Sequence, residues 1–258
     1  MRPFAWITLA AALVVPASAS ALEIFTCGQE VPTGGTGILI ADIVCPGTTG
    51  YGVLLGSRTT LQLNGHSISG AGISVYVTGG KRIVIEGPGE LAGADQVGVF
   101  APNNVGKIGV TMRDGVVMHD IRESAIALGQ GNKVKLELDD VTIRDNAGSA
   151  VADCNGLKLK ATDFAVTNNG TGICGDAIKV KRGTITGNGV AGIFSWTARV
   201  KLIDSTVTGN DTADNAYDIE TTKRPKLVSS SCDHSVQLPA FPGLPAPGAP
   251  SWGVCTGD

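Results

Sequence analysis

Lysine recurs at one place in four stretches of this chain, as Lys135, Lys158, Lys179 and Lys201, each time between two apolar residues. Lys160 and Lys181 follow two residues on, and Glu137 holds the corresponding place in the first stretch. Alternate residues of an extended chain share a face, so each lysine points away from its apolar neighbours. Stacked in register, the four form one outward column with a step of about 4.8 Å, and each exposed like-charged pair costs about a few tenths of a kcal/mol unless anions lie along it. A linear polymer with repeated carboxylates or sulfates complements such a column. Outward lysines also keep strands soluble and discourage sheet-to-sheet association, which is the structural alternative.

Two further sets of residues have chemical potential. Asp140, Asp163, Arg182 and Asp204 share the turn after the lysine-bearing segment, where they can partner the lysines, bind Ca²⁺ through oxygen, or simply form the turn. Apart from that calcium option no cofactor is expected: three His and no C-x-x-C spacing argue against zinc. The second set is His119, Asp120, Arg122, Arg144 and Asp145. On a uronic acid, Arg would neutralise the carboxylate, which acidifies the C5 proton, and a base would remove that proton. The same residues also make an ordinary surface ion-pair network. His66 follows the turn pair Asn64-Gly65, where the plainer expectation is that it satisfies neighbouring carbonyls.

The elements that must position these residues are repeats. Four related segments run from Val134 to Asn215, and aligned on Asn146, Asn169, Asn188 and Asn210 they recur after 23, 19 and 22 residues. Apolar and polar residues alternate within each copy, as in Val134, Leu136 and Leu138 followed by Val141 and Ile143, which is the period of a half-buried strand. No copy holds a helical run. Each therefore reads as two or three short strands split by Gly, Asp and Asn, turning on itself and pairing in parallel with the next copy. The asparagines are expected to take the left-handed turn position and to bond one another from coil to coil as a ladder. The segment MHDIRESAIA, from Met118, matches IRDNAGSAVA, from Ile143, without gaps at an offset of 25; it places His119 over Arg144 and Ile121 in the Asn column. The ladder should accordingly begin at Asn146.

The Asn ladder, the coil length and the small β-branched core resemble the right-handed parallel β-helices of the pectin-lyase-like superfamily, over about Gly52 to Ser231. TTLQLNGHSISG, from Thr59, is similar to the T-L-D-L-N-G-H-T-I opening coil of secreted bacterial right-handed β-helix proteins, with Gln62 for Asp and Ser67 for Thr. The resemblance implies an all-β, single-domain right-handed parallel β-helix of about seven to nine coils with capped ends. It also implies that acidic polysaccharides bind on the face of the first strand. Its catalytic signatures are incomplete. His119-Asp120 matches half of the Asp-Pro-His-Asp motif of mannuronan C5-epimerases, with Val117-Met118 in place of Asp-Pro. Of the polygalacturonase elements only Asp139-Asp140 occurs, inside an ordinary repeat, and the pectate-lyase calcium carboxylates with their Arg cannot be placed.

The ends of the chain complete the reading. Residues 1–21 carry Arg2, an apolar run from Phe4 to Val15 and alternating Ala17, Ala19 and Ala21, the pattern of a secretory signal peptide; the run is short for a membrane span. Residues 22–58 are expected to cap the solenoid, 59–231 to form it, and 232–258 to be a Pro-rich cap or tail. Six cysteines in an exported chain imply disulfides, and their order suggests Cys27 with Cys45, Cys154 with Cys174, and Cys232 with Cys255. The formal net charge of −3 argues against nucleic acid. These features favour a secreted or periplasmic protein that is non-catalytic, either binding carbohydrate or serving as a structural surface component. The alternative is a polysaccharide lyase or C5-epimerase acting on a uronate polymer, with a base among His119, Lys135 and Arg144.

Overall fold

The computed structural model describes residues 21–47, 50–196, 199–210, 217–239 and 249–258. The signal-peptide reading falls on residues 1–21 and so lies almost wholly outside them. Alternating apolar residues produce strands throughout, and no helix occurs among the described residues. The strands form a parallel β-solenoid of about eight turns. Among the described residues the strands divide between a 15-stranded sheet, which bends at a corner, and a 10-stranded sheet, successive coils pairing in parallel in both. Strands of the proposed cap region join the same ladders, since Thr36 pairs with Thr60 and Val53 with Val75.

Four long strands carry the middle of the larger sheet: Lys107–His119, Lys133–Arg144, Leu157–Thr167 and Ala177–Thr186. Each spans what the sequence suggests are two strands. The chain passes the intervening corner with a residue in the left-handed region, at φ 57° for Asp140, 48° for Asp163 and 51° for Arg182. Inward Val134, Leu136, Leu138, Val141 and Ile143 are at most 2% exposed, and their equivalents in other coils stack on them as one continuous apolar column.

Between the two sheets the asparagines stack as expected, with side-chain amides donating along the chain direction from Asn146 to Asn169 (2.8 Å), Asn169 to Asn188 (3.0 Å) and Asn188 to Asn210 (2.7 Å). Their backbone conformation differs from expectation. The left-handed positions belong to the preceding residues, Asp145, Asn168, Gly187 and Gly209, at φ 55°, 55°, 69° and 62°. Turning the chain one residue earlier leaves each asparagine free to point inward, where Oδ1 of Asn169, Asn188 and Asn210 accepts both the backbone N–H and the amide of the asparagine one coil before, and Oδ1 of Asn146 accepts the Ile121 N–H. Close coil-to-coil approach follows: a Cβ on Gly148 would lie 1.3 Å from the Glu123 carbonyl oxygen, so only glycine fits there.

Three disulfides join the pairs suggested by cysteine order, Cys27–Cys45, Cys154–Cys174 and Cys232–Cys255, with Cα separations of 5.7, 4.8 and 4.8 Å. The last ties the end of the chain to the final coil. There the Asp258 carboxylate accepts from the backbone of Ser235, Val254 and Cys255, and Trp252 donates its indole N–H to the Thr221 carbonyl.

Asp153, 4% exposed, accepts the Leu128 N–H at 2.6 Å. Burial raises its pKa, with the Leu128 bond opposing. A carboxyl that binds its proton more tightly when folded favours folding below the ordinary carboxylate range, and this contribution is lost as pH rises through the folded pKa. Asp153→Asn keeps an acceptor for Leu128 and removes the buried charge. The variant is expected to melt a few degrees higher than the parent at pH 7, with the difference closing near pH 3. Thermal melts at both pH values check this, and a variant that melts lower at pH 7 refutes it.

Candidate functional site

The outward positions of the long sheet, on the side before the left-handed corner, line a groove of about 1080 Å³. Its cations are Lys81, Arg82, Lys107, Lys133, Lys135, Lys158, Lys160, Lys179, Arg199 and Lys201, against two carboxylates, Glu137 and Asp176. Ten of the chain's 20 Lys and Arg thus converge on one groove, with a formal lining charge of +8 in a protein of net charge −3. Alternation explains the geometry, because Leu136, Leu159 and Val180 face the core and leave their neighbours no direction but outward.

All four lysines of the expected stripe line the groove, but they do not form one column. Lys135 pairs with Lys158, whereas Lys158 pairs with Ala177. Lys179 stands instead beside Lys160, and continues to Lys201 and Lys226. Two columns therefore run side by side, Gly109, Lys135, Lys158, Ala177 and Thr111, Glu137, Lys160, Lys179, Lys201, Lys226. The strands hold a constant offset of 19 from Lys158↔Ala177 to Thr167↔Thr186, which also joins Asn169 to Asn188, so lysines 21 residues apart must fall two places out of line. Lys181 stands beside Thr162 and outside the groove lining. Among the described residues, Lys135 is the one groove lysine with a carboxylate within 4.0 Å, Glu137 at 3.1 Å.

The corner residues behave as turn formers. Asp140, Asp163, Arg182 and Asp204 all have left-handed backbones, and Arg182 donates both Nε and Nη2 to the Asp163 carboxylate at 2.7 and 2.6 Å. That fork holds Asp163 below its usual pKa. No cluster of three or more His, Cys, Asp or Glu suited to a metal ion occurs among the described residues.

His119 and Arg144 are directly paired neighbours, as the 25-residue offset implies, but the set of five divides. His119 contacts Asp120 through Nδ1 at 2.6 Å and Glu90 through Nε2 at 3.3 Å. Arg144 donates to Asp145 at 2.7 Å; that bond, and a second from Asn168, lower the Asp145 pKa. Arg122 turns away to Asp95 at 3.0 Å. Both imidazole nitrogens thus face carboxylates, and neither His119 nor Arg144 lines the basic groove. His66 also meets a carboxylate, Asp42 at 3.5 Å, rather than the carbonyls expected. Glu90 lies 29 residues from His119 in sequence and nothing in the repeat pattern marks it. Lys81, Arg82, Lys107, Lys133 and Arg199 were likewise outside the lysine pattern; clustering of cations at the ends of apolar runs was the available signal.

No family model and no curated protein matches the chain. Among solved structures it is similar to the Dettilon tailspike protein (gp208), at 12% identity and a TM-score of 0.30, over 83% of this chain. The match takes in 55% of the tailspike chain, so the present chain spans about half its length.

Proposed function

We propose that this is an exported β-helix protein of the pectin-lyase-like kind whose basic groove binds an anionic polysaccharide without chemical conversion. The observation that carries the reading is the convergence of half the chain's cations on one groove. Three disulfides are in keeping with export to an oxidising compartment, either the periplasm or the exterior. Among the described residues no helix is long and apolar enough to cross a membrane. A nucleic acid is the less suited polyanion, because among the described residues no aromatic side chain lines the groove to stack on bases. Catalysis is less supported than binding: the candidate bases are all engaged by carboxylates, His119 and Arg144 away from the groove and Lys135 by Glu137 within it.

The test is titration of the protein with polygalacturonate, alginate, a sulfated glycan and a neutral glucan at low and moderate salt. Binding is expected to the anionic polymers alone and to weaken with salt, since exposed charges are screened. Lys160→Ala combined with Lys179→Ala removes two adjacent cations and should weaken binding about fivefold, at roughly 1 kcal/mol for the pair. Equal binding of the neutral glucan, or an unchanged double variant, overturns the assignment of this groove. Growth of the ultraviolet absorbance of an unsaturated sugar would make the protein a lyase and overturn its non-catalytic part.

A further inference from the structure

The two sheets use their outward positions differently. The larger one carries lysines there, and outward charge discourages sheets from associating. In the smaller one the seven strands from Tyr51–Leu55 to Ile193–Ser195 contain no Lys, Arg, Asp or Glu. Their inward positions are filled by Val and Ile at 0% exposure, as at Val53, Val99, Val151 and Ile193. The next position along each strand points outward, and register joins these into one column: Tyr76, Phe100, Ala127, Ala152, Cys174 and Phe194. Strands that are apolar on both faces belong to sheets covered on both sides. Among the described residues no further layer of strands lies over this outer face.

The column divides into a ridge and a trough. Tyr51, 39% exposed, stacks on Tyr76 at 4.3 Å between ring centroids, and Tyr76 on Phe100 at 5.6 Å, so three successive coils raise a ridge of aromatic rings. The following three coils present Ala127, Ala152 and Cys174, with Ser124, Ser149 and Thr171 three residues earlier on the same strands. This is a trough of small uncharged side chains. Phe194, edge-on to Trp196 at 4.8 Å, closes its far end. Ridge and trough have the same length, three coils at ~4.8 Å each.

A surface of this form is complementary to itself. A two-fold axis along the strand direction, between strands Val97–Phe100 and Ser124–Ala127, reverses the order of the coils. It sets Phe100 of one copy opposite Ala127 of the second copy, Tyr76 opposite Ala152, and the coil of Tyr51 opposite that of Cys174. Charge on the rim agrees. Asp95 and Arg122 precede these two central strands by two residues each and pair within one copy at 3.0 Å, so the same axis brings Asp95 of each copy opposite Arg122 of the other. Six coils of four or five residues give a face of roughly 400 Å² in projection per copy, more in accessible area, which is at the small end of specific interfaces.

We propose that a second copy of this chain covers the smaller sheet, in a two-fold dimer that seats the aromatic ridge of each copy in the small-residue trough of the other. The occupant follows from the face itself: it lacks the charge that would repel a copy, and its ridge matches its own trough. The basic groove lies on the other sheet, so this pairing does not depend on what the groove binds.

Sedimentation velocity of the disulfide-bonded protein from about 1 to about 200 μM tests the proposal. The mass should shift from one copy to two across this range. Ala152→Lys and Tyr76→Glu, each confirmed as folded by circular dichroism, should each weaken the dimer about tenfold or more, because each leaves an unpaired charge in the apolar contact. Mixed together they should dimerise again, since the axis places the new lysine against the new glutamate and leaves one native contact. If Tyr76→Glu does not fold, Phe100→Glu mixed with Ala127→Lys repeats the test one coil nearer the axis. A single copy at every concentration overturns the proposal, and a trimer or open-ended polymer overturns the two-fold pairing. Undiminished dimer in Ala152→Lys overturns the assignment of this face. Failure of the folded variants to rescue each other overturns the seating of ridge in trough. A protein that stays single and floats with phosphatidylcholine vesicles makes the face a lipid contact and overturns the second copy as its occupant.

Discussion

Asn169→Leu should unfold about 6–12 °C below the parent protein, corresponding to about 3 kcal/mol in a chain of this size. Asn169 is 3% exposed and sits between two other ladder asparagines. Its Oδ1 accepts the Asn146 backbone N–H at 3.2 Å and the Asn146 amide at 2.8 Å, and its Nδ2 donates to Asn188 Oδ1, the Ile143 carbonyl and the Thr167 carbonyl. Leucine has similar bulk and none of these bonds. A buried polar group left unpaired costs about 1–3 kcal/mol, and the Asn146 backbone N–H loses the partner its geometry provides. Circular dichroism melts give the value, and a midpoint within about 2 °C of the parent would mean that the stacked amides contribute nothing net.

The second large effect is expected at the foot of the same ladder. Asn210 donates its backbone N–H and its amide to Asp218 Oδ1, at 3.0 and 2.8 Å. The other oxygen, Oδ2, accepts the backbone N–H groups of Asp233 and His234 at 2.7 and 3.2 Å. One carboxylate, 1% exposed, thus ends the amide column and anchors the last coil. Asp218→Ala leaves four donors without that acceptor, and hydrogen bonds to a charged group contribute about 1.5–3 kcal/mol each in isolation. Partial compensation by water brings the expected loss to about 4 kcal/mol. Because Asp218 holds the end rather than the middle, amide exchange should accelerate first in strand Ser235–Gln237 and much less in Lys133–Arg144. Uniform acceleration, or none, would contradict the anchoring role.

The two variants separate contributions that a solenoid otherwise mixes. Each coil contacts chiefly its neighbours, so stability is close to a sum of coil and interface terms, and a lesion spreads only as far as its interfaces are weak. Asn169 lies where coils are joined on both sides. Asp218 lies where the ladder stops and the disulfide Cys232–Cys255 takes over as the tie to the end of the chain.

Much of the fold was legible in the sequence because it depends on rules that act coil by coil. Two-residue alternation decides which side chains face inward, and the spacing of Asn146, Asn169, Asn188 and Asn210 counts residues per coil directly. Cysteines about one coil apart fall within disulfide reach for the same reason, as Cys154–Cys174 shows at 4.8 Å. The residue carrying the left-handed turn was displaced by one, since Asp145-Asn146 and Asn168-Asn169 offer two candidates each and composition does not choose between them.

The site was less legible. A slip of two residues leaves every inward residue inward, so alternation fixes which face Lys179 occupies and leaves open which lysine stands beside it. Packing of Leu159 on Ile178 and the Asn169–Asn188 bond decide that register, and they place Lys179 next to Lys160 instead of Lys158. Glu90 reaches His119, Asp42 reaches His66 and Asp218 receives Asn210 because coils of unequal length bring them together, which no local pattern encodes. The sequence by itself thus determined the inward faces and the amide ladder, set by local periodicity, and suggested the crosslinks through the order of the cysteines. The tertiary structure alone decided which outward charges meet, because outward side chains take their neighbours from a register that the core enforces.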